Sequence, residues 1–164
     1  MSKVEKPTAK KRGPYLTAAF FCEQTIEDMR DKAMSAIRMY DKTTIILDTA
    51  VAPPDLPSEN KRLPVSLIGL VSFKTGDSPG EHTIRIGLVS PSGKTNPNVF
   101  ERTFVFGDAP YSGVNVRLET TILVKQGGLF HMEVYLDGEL RTRVPFEIEV
   151  QKVARLQSAA AQGD

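Results

Sequence analysis

Two runs of strict alternation flank a single dipeptide near the end of this 164-residue chain. In the first, Phe130, Met132, Val134 and Leu136 alternate with His131, Glu133 and Tyr135. In the second, Val144, Phe146, Ile148 and Val150 alternate with Arg143, Glu147 and Glu149. Asp137-Gly138 lies between them. That dipeptide supplies the positive φ angles of a two-residue hairpin, and period-two alternation buries one face of each strand and wets the other. The stretch Leu129–Val150 therefore dictates an antiparallel hairpin.

The same pattern recurs upstream. Val114, Val116, Leu118, Thr120, Ile122 and Val124 make the cleanest run of period two in the chain. Thr83–Val89 alternates with Ile84, Ile86 and Leu88 inward. Val99–Phe106 places Phe100, Phe104 and Phe106 on one face, with Arg102 as the exception. Val65–Lys74 is apolar on both sides, so both of its faces are expected to be partly covered. Turn signals separate these runs at Gly76-Asp77-Ser78-Pro79-Gly80, Pro91-Ser92-Gly93, a polar loop over 94–98, Gly107–Gly113 and Gln126-Gly127-Gly128. Pro53, Pro54, Pro57 and Pro64 mark 50–64 as a connection across one end of the fold.

Residues 22–41 admit two readings. Cys22, Ile26, Met29, Ala33, Ile37 and Tyr40 recur at helical spacing, yet Ser35–Asp41 also alternates. The expectation is a strand over 16–22, a turn or short helix around 25–33, and a second strand from 35 into Thr44–Leu47. One helix over 22–40 is the alternative. The whole then reads as an all-β, immunoglobulin-like antiparallel β-sandwich of seven to nine strands, possibly with one short helix. A closed barrel is the second architecture. The chain has no Trp and one cysteine, which argues against an antibody-type domain but not against a sandwich.

The organisation expected is a disordered basic tail over 1–14, one domain over 15–150, and a flexible tail over 151–164. Residues 1–14 carry Lys3, Lys6, Lys10, Lys11 and Arg12 against Glu5, while the whole chain has a net charge of only +1. No global field draws in nucleic acid, and aromatic stacking platforms are lacking, so a nucleic-acid partner is not expected. Cys22 has no intrachain mate, which fits a reducing compartment. No run is long enough for a membrane span or shaped as a secretory signal, so a cytoplasmic location is expected.

Groups for chemistry are sparse. A nucleophilic Cys22 needs an adjacent base, and His82 and His131 are both remote in sequence. His131 and Glu133 share one strand face, but zinc needs three or four ligands, so a solvated outer face is the plainer reading. Glu147 and Glu149, near Arg141 and Arg143, read as a charged outer surface. Gly76–Gly80 lacks the Gly-Lys-Ser/Thr ending of a phosphate loop, and no Gly-x-Ser-x-Gly elbow occurs. No catalytic, cofactor-binding or metal residue is therefore expected, and no cofactor. Tyr111, in Asp108-Ala109-Pro110-Tyr111-Ser112-Gly113, is the one loop aromatic placed to meet a partner.

Phe20-Phe21-Cys22-Glu23, Ser35-Ala36-Ile37-Arg38-Met39, the Pro-rich gap, Pro91-Ser92-Gly93, Gly127-Gly128-Leu129-Phe130 and Pro145-Phe146-Glu147-Ile148 together carry a resemblance. The chain resembles an uncharacterised bacterial family of small β-sandwich proteins, over roughly residues 15–150. The resemblance implies a strand–turn–strand for 16–47 and implies no activity. It departs from the family at Glu27–Ala33, where members have a Gly in the turn and this chain has none. Three functions are in view. The first is a non-catalytic protein-binding or adaptor module. The second is a self-associating structural subunit of a bacterial or phage assembly. The third is a small-ligand binder or enzyme in which two of Cys22, His82 and His131 converge.

Overall fold

A computed structural model describes residues 13–48 and 62–153. Of the expected tails at 1–14 and 151–164 and the Pro-rich connection at 50–64, residues 1–12, 154–164 and 50–61 lie outside the described residues, whereas 151–153 are strand and not tail. Nine strands make up the fold: β1 (Tyr15–Glu27), β2 (Met34–Tyr40), β3 (Lys42–Asp48), β4 (Leu63–Lys74), β5 (Gly80–Val89), β6 (Thr95–Phe106), β7 (Gly113–Val124), β8 (Gly128–Leu136) and β9 (Glu139–Val153). No helix occurs among the described residues. The fold is all-β, as the alternation demands.

The strands form two sheets, of order β2-β1-β4-β7 and β3-β9-β8-β5-β6. The inward residues meet between them. Phe21 of β1 touches Phe146 of β9 at 4.4 Å between ring centroids, and Phe146 stacks on Phe130 of β8 at 5.4 Å. Gly69 of β4 leaves room for the Met132 sulfur, which lies 3.4 Å from where a Cβ would stand. Val71, Phe73, Ile84, Ile86, Val134 and Leu136 complete a fully buried centre. These are the residues that alternation assigns to one face, and directly opposed residues in a ladder share that face.

The segment 15–40 is strand–turn–strand, not one helix, and a third strand follows from Lys42. Cys22 faces Met39 and Thr25 faces Ala36 across an antiparallel ladder. The turn closes with the Asp28 amide donating to Ala33 O and the Lys32 amide donating to Asp28 O. Lys32 takes φ = 60°, the left-handed position where glycine is the usual occupant. No short helix forms around 25–33, because the turn is only six residues long and its hydrogen bonds close it directly.

The expected strand from 35 into 44–47 is broken at Asp41, where the chain leaves one sheet and enters the other. It does so without reversing direction, so β3 runs parallel to β9, from Lys42↔Glu147 to Asp48↔Val153. The sandwich is thus antiparallel at every pair except this one. The polar stretch 94–98 is only partly loop. Thr95 and Asn96 pair with Val89 and Leu88, after a register shift between Ile86 and Leu88. Gly87 sits at that shift, with the carbonyl oxygens of Asn96 and Pro97 each 3.2 Å from its Cβ position. Finally, Leu63 and Pro64 belong to β4 and pair with Val124 and Leu123.

The Asp137-Gly138 turn forms as the sequence requires, with φ = 52° and 82°. Strand β4 is covered on its inner face and partly on its outer one. Leu67 and Phe73 point into the core, and Leu70 is also buried although its position opposes Phe20 and Arg117 on the outer side.

Candidate binding surface

The groups that could have made a catalytic centre are dispersed. Cys22 is fully buried on β1, opposite Met39 and Ile68. Burial pushes its thiol above the usual value, against smaller opposing effects of Arg117 and the Gln24 backbone. A buried thiol held neutral is a poor nucleophile. His82 and His131 lie toward opposite ends of the other sheet. His131 pairs with Val89, seven residues of strand from His82, or roughly 23 Å.

His82 is a latch between two turns. Its Nδ1 is 2.7 Å from Asp137 Oδ2, and its Nε2 is 3.0 Å from the Ser78 carbonyl. Its ring meets Phe106 edge-on at 5.2 Å. Asp137 also accepts the Thr83 amide through Oδ1. Burial raises the Asp137 pKa, but the His82 and Thr83 hydrogen bonds outweigh it and the carboxyl ends below its usual value. One carboxylate thus ties the 76–80 turn to the β8–β9 hairpin.

Glu133 corrects the reading of a solvated outer face. It lies outward on β8, yet it is only 5% exposed. The Tyr135 hydroxyl donates to its Oε2 at 2.7 Å, and Arg143 of β9 donates to its Oε1. The Arg85 guanidinium lies 3.9 Å from the Tyr135 ring centroid and donates to the Pro97 carbonyl at 3.2 Å. The Tyr135 bond is the largest influence on the Glu133 carboxyl. Burial opposes it, and Arg143 and Arg85 add to it, so the pKa is lowered. Alternation tells which face a residue takes, not what folds over that face. The signal available was that Arg85, Tyr135 and Arg143 all project on the Glu133 side.

No group of three metal-ligating side chains occurs among the described residues. Glu147 and Glu149 do form a charged outer surface, but their cation is Lys42 of β3, at 3.7 and 2.9 Å. Arg141 and Arg143 pair instead with Glu139 and Glu133.

Among the described residues, the sheets leave edges without a partner strand. Strands β2 and β7 end one sheet, and β3 and β6 end the other. Three of these edges are short or irregular. Strands β2 and β3 have seven residues each, with Arg38 at φ = 49° within β2. Strand β6 carries Pro97 and the register shift. Strand β7 has neither device. Its twelve residues pair with β4 in one unbroken register, from Leu63↔Val124 to Lys74↔Gly113. A long regular edge without Pro, bulge or Lys is a template for another strand.

Both ends of β7 carry unusual surface. Tyr111, just before it, is 79% exposed on a turn closed by the Ser112 amide donating to Ala109 O. Near its other end, Leu123 is 59% exposed. Two adjoining clefts of about 330 and 420 Å³ open there, sharing Ser90, Lys94, Leu123 and Phe130. Their linings include Arg62, Lys94 and Lys125 and no carboxylate. None of those three cations makes an ion pair among the described residues.

The geometry defines a two-sheet β domain that offers, among the described residues, an edge and end loops, and in which Cys22, His82 and His131 stand apart. The chain belongs to the family of unknown function DUF6941, whose model matches residues 46–149. The match begins within β3 and ends within β9, so the β1–β2 hairpin lies outside it. No curated protein matches the chain. Among solved structures it is similar to a Pseudomonas fluorescens alkylpurine DNA glycosylase, AlkC, bound to DNA containing an abasic site analog. Identity is 11%, the match covers 65% of this chain and 27% of that one, and the TM-score is 0.33. This chain therefore spans about a quarter of that protein, and a likeness at that level carries nothing over.

Proposed function

We propose that this protein is a non-catalytic protein-binding module of the bacterial cytoplasm that engages its partner by strand addition at β7. The observation that carries the reading is the twelve-residue unbroken edge of β7, set beside exposed Tyr111 and Leu123. Strand addition draws affinity from main-chain hydrogen bonds and specificity from side-chain pockets beside the edge. The lone free cysteine accords with a reducing compartment.

We also read the topology as immunoglobulin-like. The order β3-β9-β8-β5-β6, with a parallel first pair, follows a sandwich in which one strand changes sheets and aligns with the last strand. Strand β1 is then an addition wedged beside β4. In such folds the loops at the ends and the free edges are where partners dock.

The test is co-purification of tagged full-length protein from its native host, compared with a Thr121→Lys/Leu123→Lys variant. Both side chains project to solvent, and lysines on an edge strand discourage strand addition. The expected result is a protein reproducibly enriched with the wild type and lost with the variant. No enrichment over control, or enrichment unchanged by the variant, goes against the reading. A structural subunit of a larger assembly is the second reading, favoured by the same edge, because an unprotected edge also accepts a copy of itself.

A further inference from the structure

We infer that the β7 edge is self-complementary, and that its occupant is β7 of a second copy, running antiparallel about a two-fold axis at Leu118. The inference rests on the second form of that reading, in which the open β7 edge accepts a copy of itself, and adds a register; an edge so occupied is closed to another protein. Strand β7 carries two charged residues, Arg117 and Glu119, symmetrically placed about Leu118 and on the solvent side of the sheet. In one copy they pair with each other. In an antiparallel pair centred on Leu118, Arg117 stands directly opposite Glu119 of the second copy, and the two-fold axis repeats the contact. Opposite charges facing across strands are favourable, and like charges there are unfavourable.

The same axis matches the remaining residues. Val116 faces Thr120, Asn115 faces Thr121, and Val114 faces Ile122, so inward residues meet inward ones and outward meet outward. Beyond the strand ends, the loop with exposed Tyr111 and the acidic Asp108 comes against the end with exposed Leu123 and the cationic Lys125. An aromatic ring and a carboxylate thereby meet an apolar side chain and a cation, at both ends of the pair. A C2 interface needs this kind of patch, complementary to itself. Shifting the register by two residues to centre on Val116 or Thr120 removes the Arg–Glu opposition.

The experiment is the solution mass of full-length protein, by light scattering and sedimentation, across micromolar concentrations. The expected mass is twice the 18.1 kDa of one chain. Arg117→Glu and Glu119→Arg, each alone, turn two attractive contacts into two repulsive ones and weaken the dimer about tenfold or more. An equimolar mixture of these two variants restores attraction at both contacts, so it recovers the dimer that neither forms alone. Recovery on mixing also shows that both variants fold. A monomeric wild type overturns the inference but leaves strand addition standing, provided that the lysine variant still loses its co-purified protein. A dimer indifferent to both charge changes, or a mixture that stays monomeric, overturns the register and the occupant.

Discussion

Glu133 pairs a face assigned by alternation with a burial that alternation does not reveal. Its carboxylate is anchored by Tyr135 and Arg143, and its pKa lies below the ordinary carboxylate value. The stability it confers is therefore present above the unfolded pKa of about 4.3 and is lost as pH falls through the lower folded value. Glu133→Ala leaves the Tyr135 hydroxyl without its acceptor, while half-exposed Arg143 regains water. The expected loss is about 2 kcal/mol at pH 7 in urea unfolding. That difference from wild type should shrink in acid below pH 4, and a difference constant down to pH 2 would show that the charge is not involved. Lys32 provides the opposite case, a residue at odds with its backbone. At φ = 60° its Cβ is crowded, and its contact with Glu27 is solvent-exposed. Lys32→Gly is expected to stabilise by roughly 0.5–1 kcal/mol, and a fall in thermal midpoint would contradict the strain assigned here.

Among the elements, those carried by period two were plain from sequence. Strand β7, the β8–β9 hairpin and its Asp137-Gly138 turn are where the residues require them, since one buried face sets the register. Strand β1 runs on past Cys22 to Glu27, because Gln24 and Glu27 are polar residues near the exposed end of a ladder and carry no apolar signal. The break at Asp41 was not legible. Nothing in Met39-Tyr40-Asp41-Lys42 differs locally from a continuing strand, and its cause is tertiary: the Glu147 amide donates to the Asp41 carbonyl at 2.7 Å. The site was partly legible. Tyr111 is as exposed as its loop suggested, whereas the open edge of β7 depends on strand order, which periodicity does not encode. The apparent convergence candidates, Cys22, His82 and His131, are kept apart by the same strand order. Gly113 closes β7 against β4 so tightly that a Cβ would lie 2.2 Å from the Phe73 carbonyl. Gly113→Ala is expected to fray the start of β7, seen as faster amide exchange over 113–116 than over 120–124. Uniform exchange along the strand would argue that the contact relaxes.

At the scale of the molecule, one aromatic column joins the two sheets. Phe146 touches Phe21 in the facing sheet and Phe130 beside it, and it is 1% exposed. Removing it empties the contact between the layers. Phe146→Ala is therefore expected to cost about 3–5 kcal/mol in equilibrium unfolding, a large share of the stability of a domain of this size. A cost under 1 kcal/mol would mean that the layers are held elsewhere. The parallel pairing of β3 with β9 also bears on how the chain is born. Thr43–Leu47 emerges early from the ribosome, but its ladder partner, Ile148–Lys152, is made about a hundred residues later. At 5–20 residues per second, that strand waits roughly 5–20 seconds for its mate. An uncharged pentapeptide, β-branched at all but Leu47, must stay unpaired for that interval, so the hazard to this protein is concentrated in synthesis, before the last strand arrives.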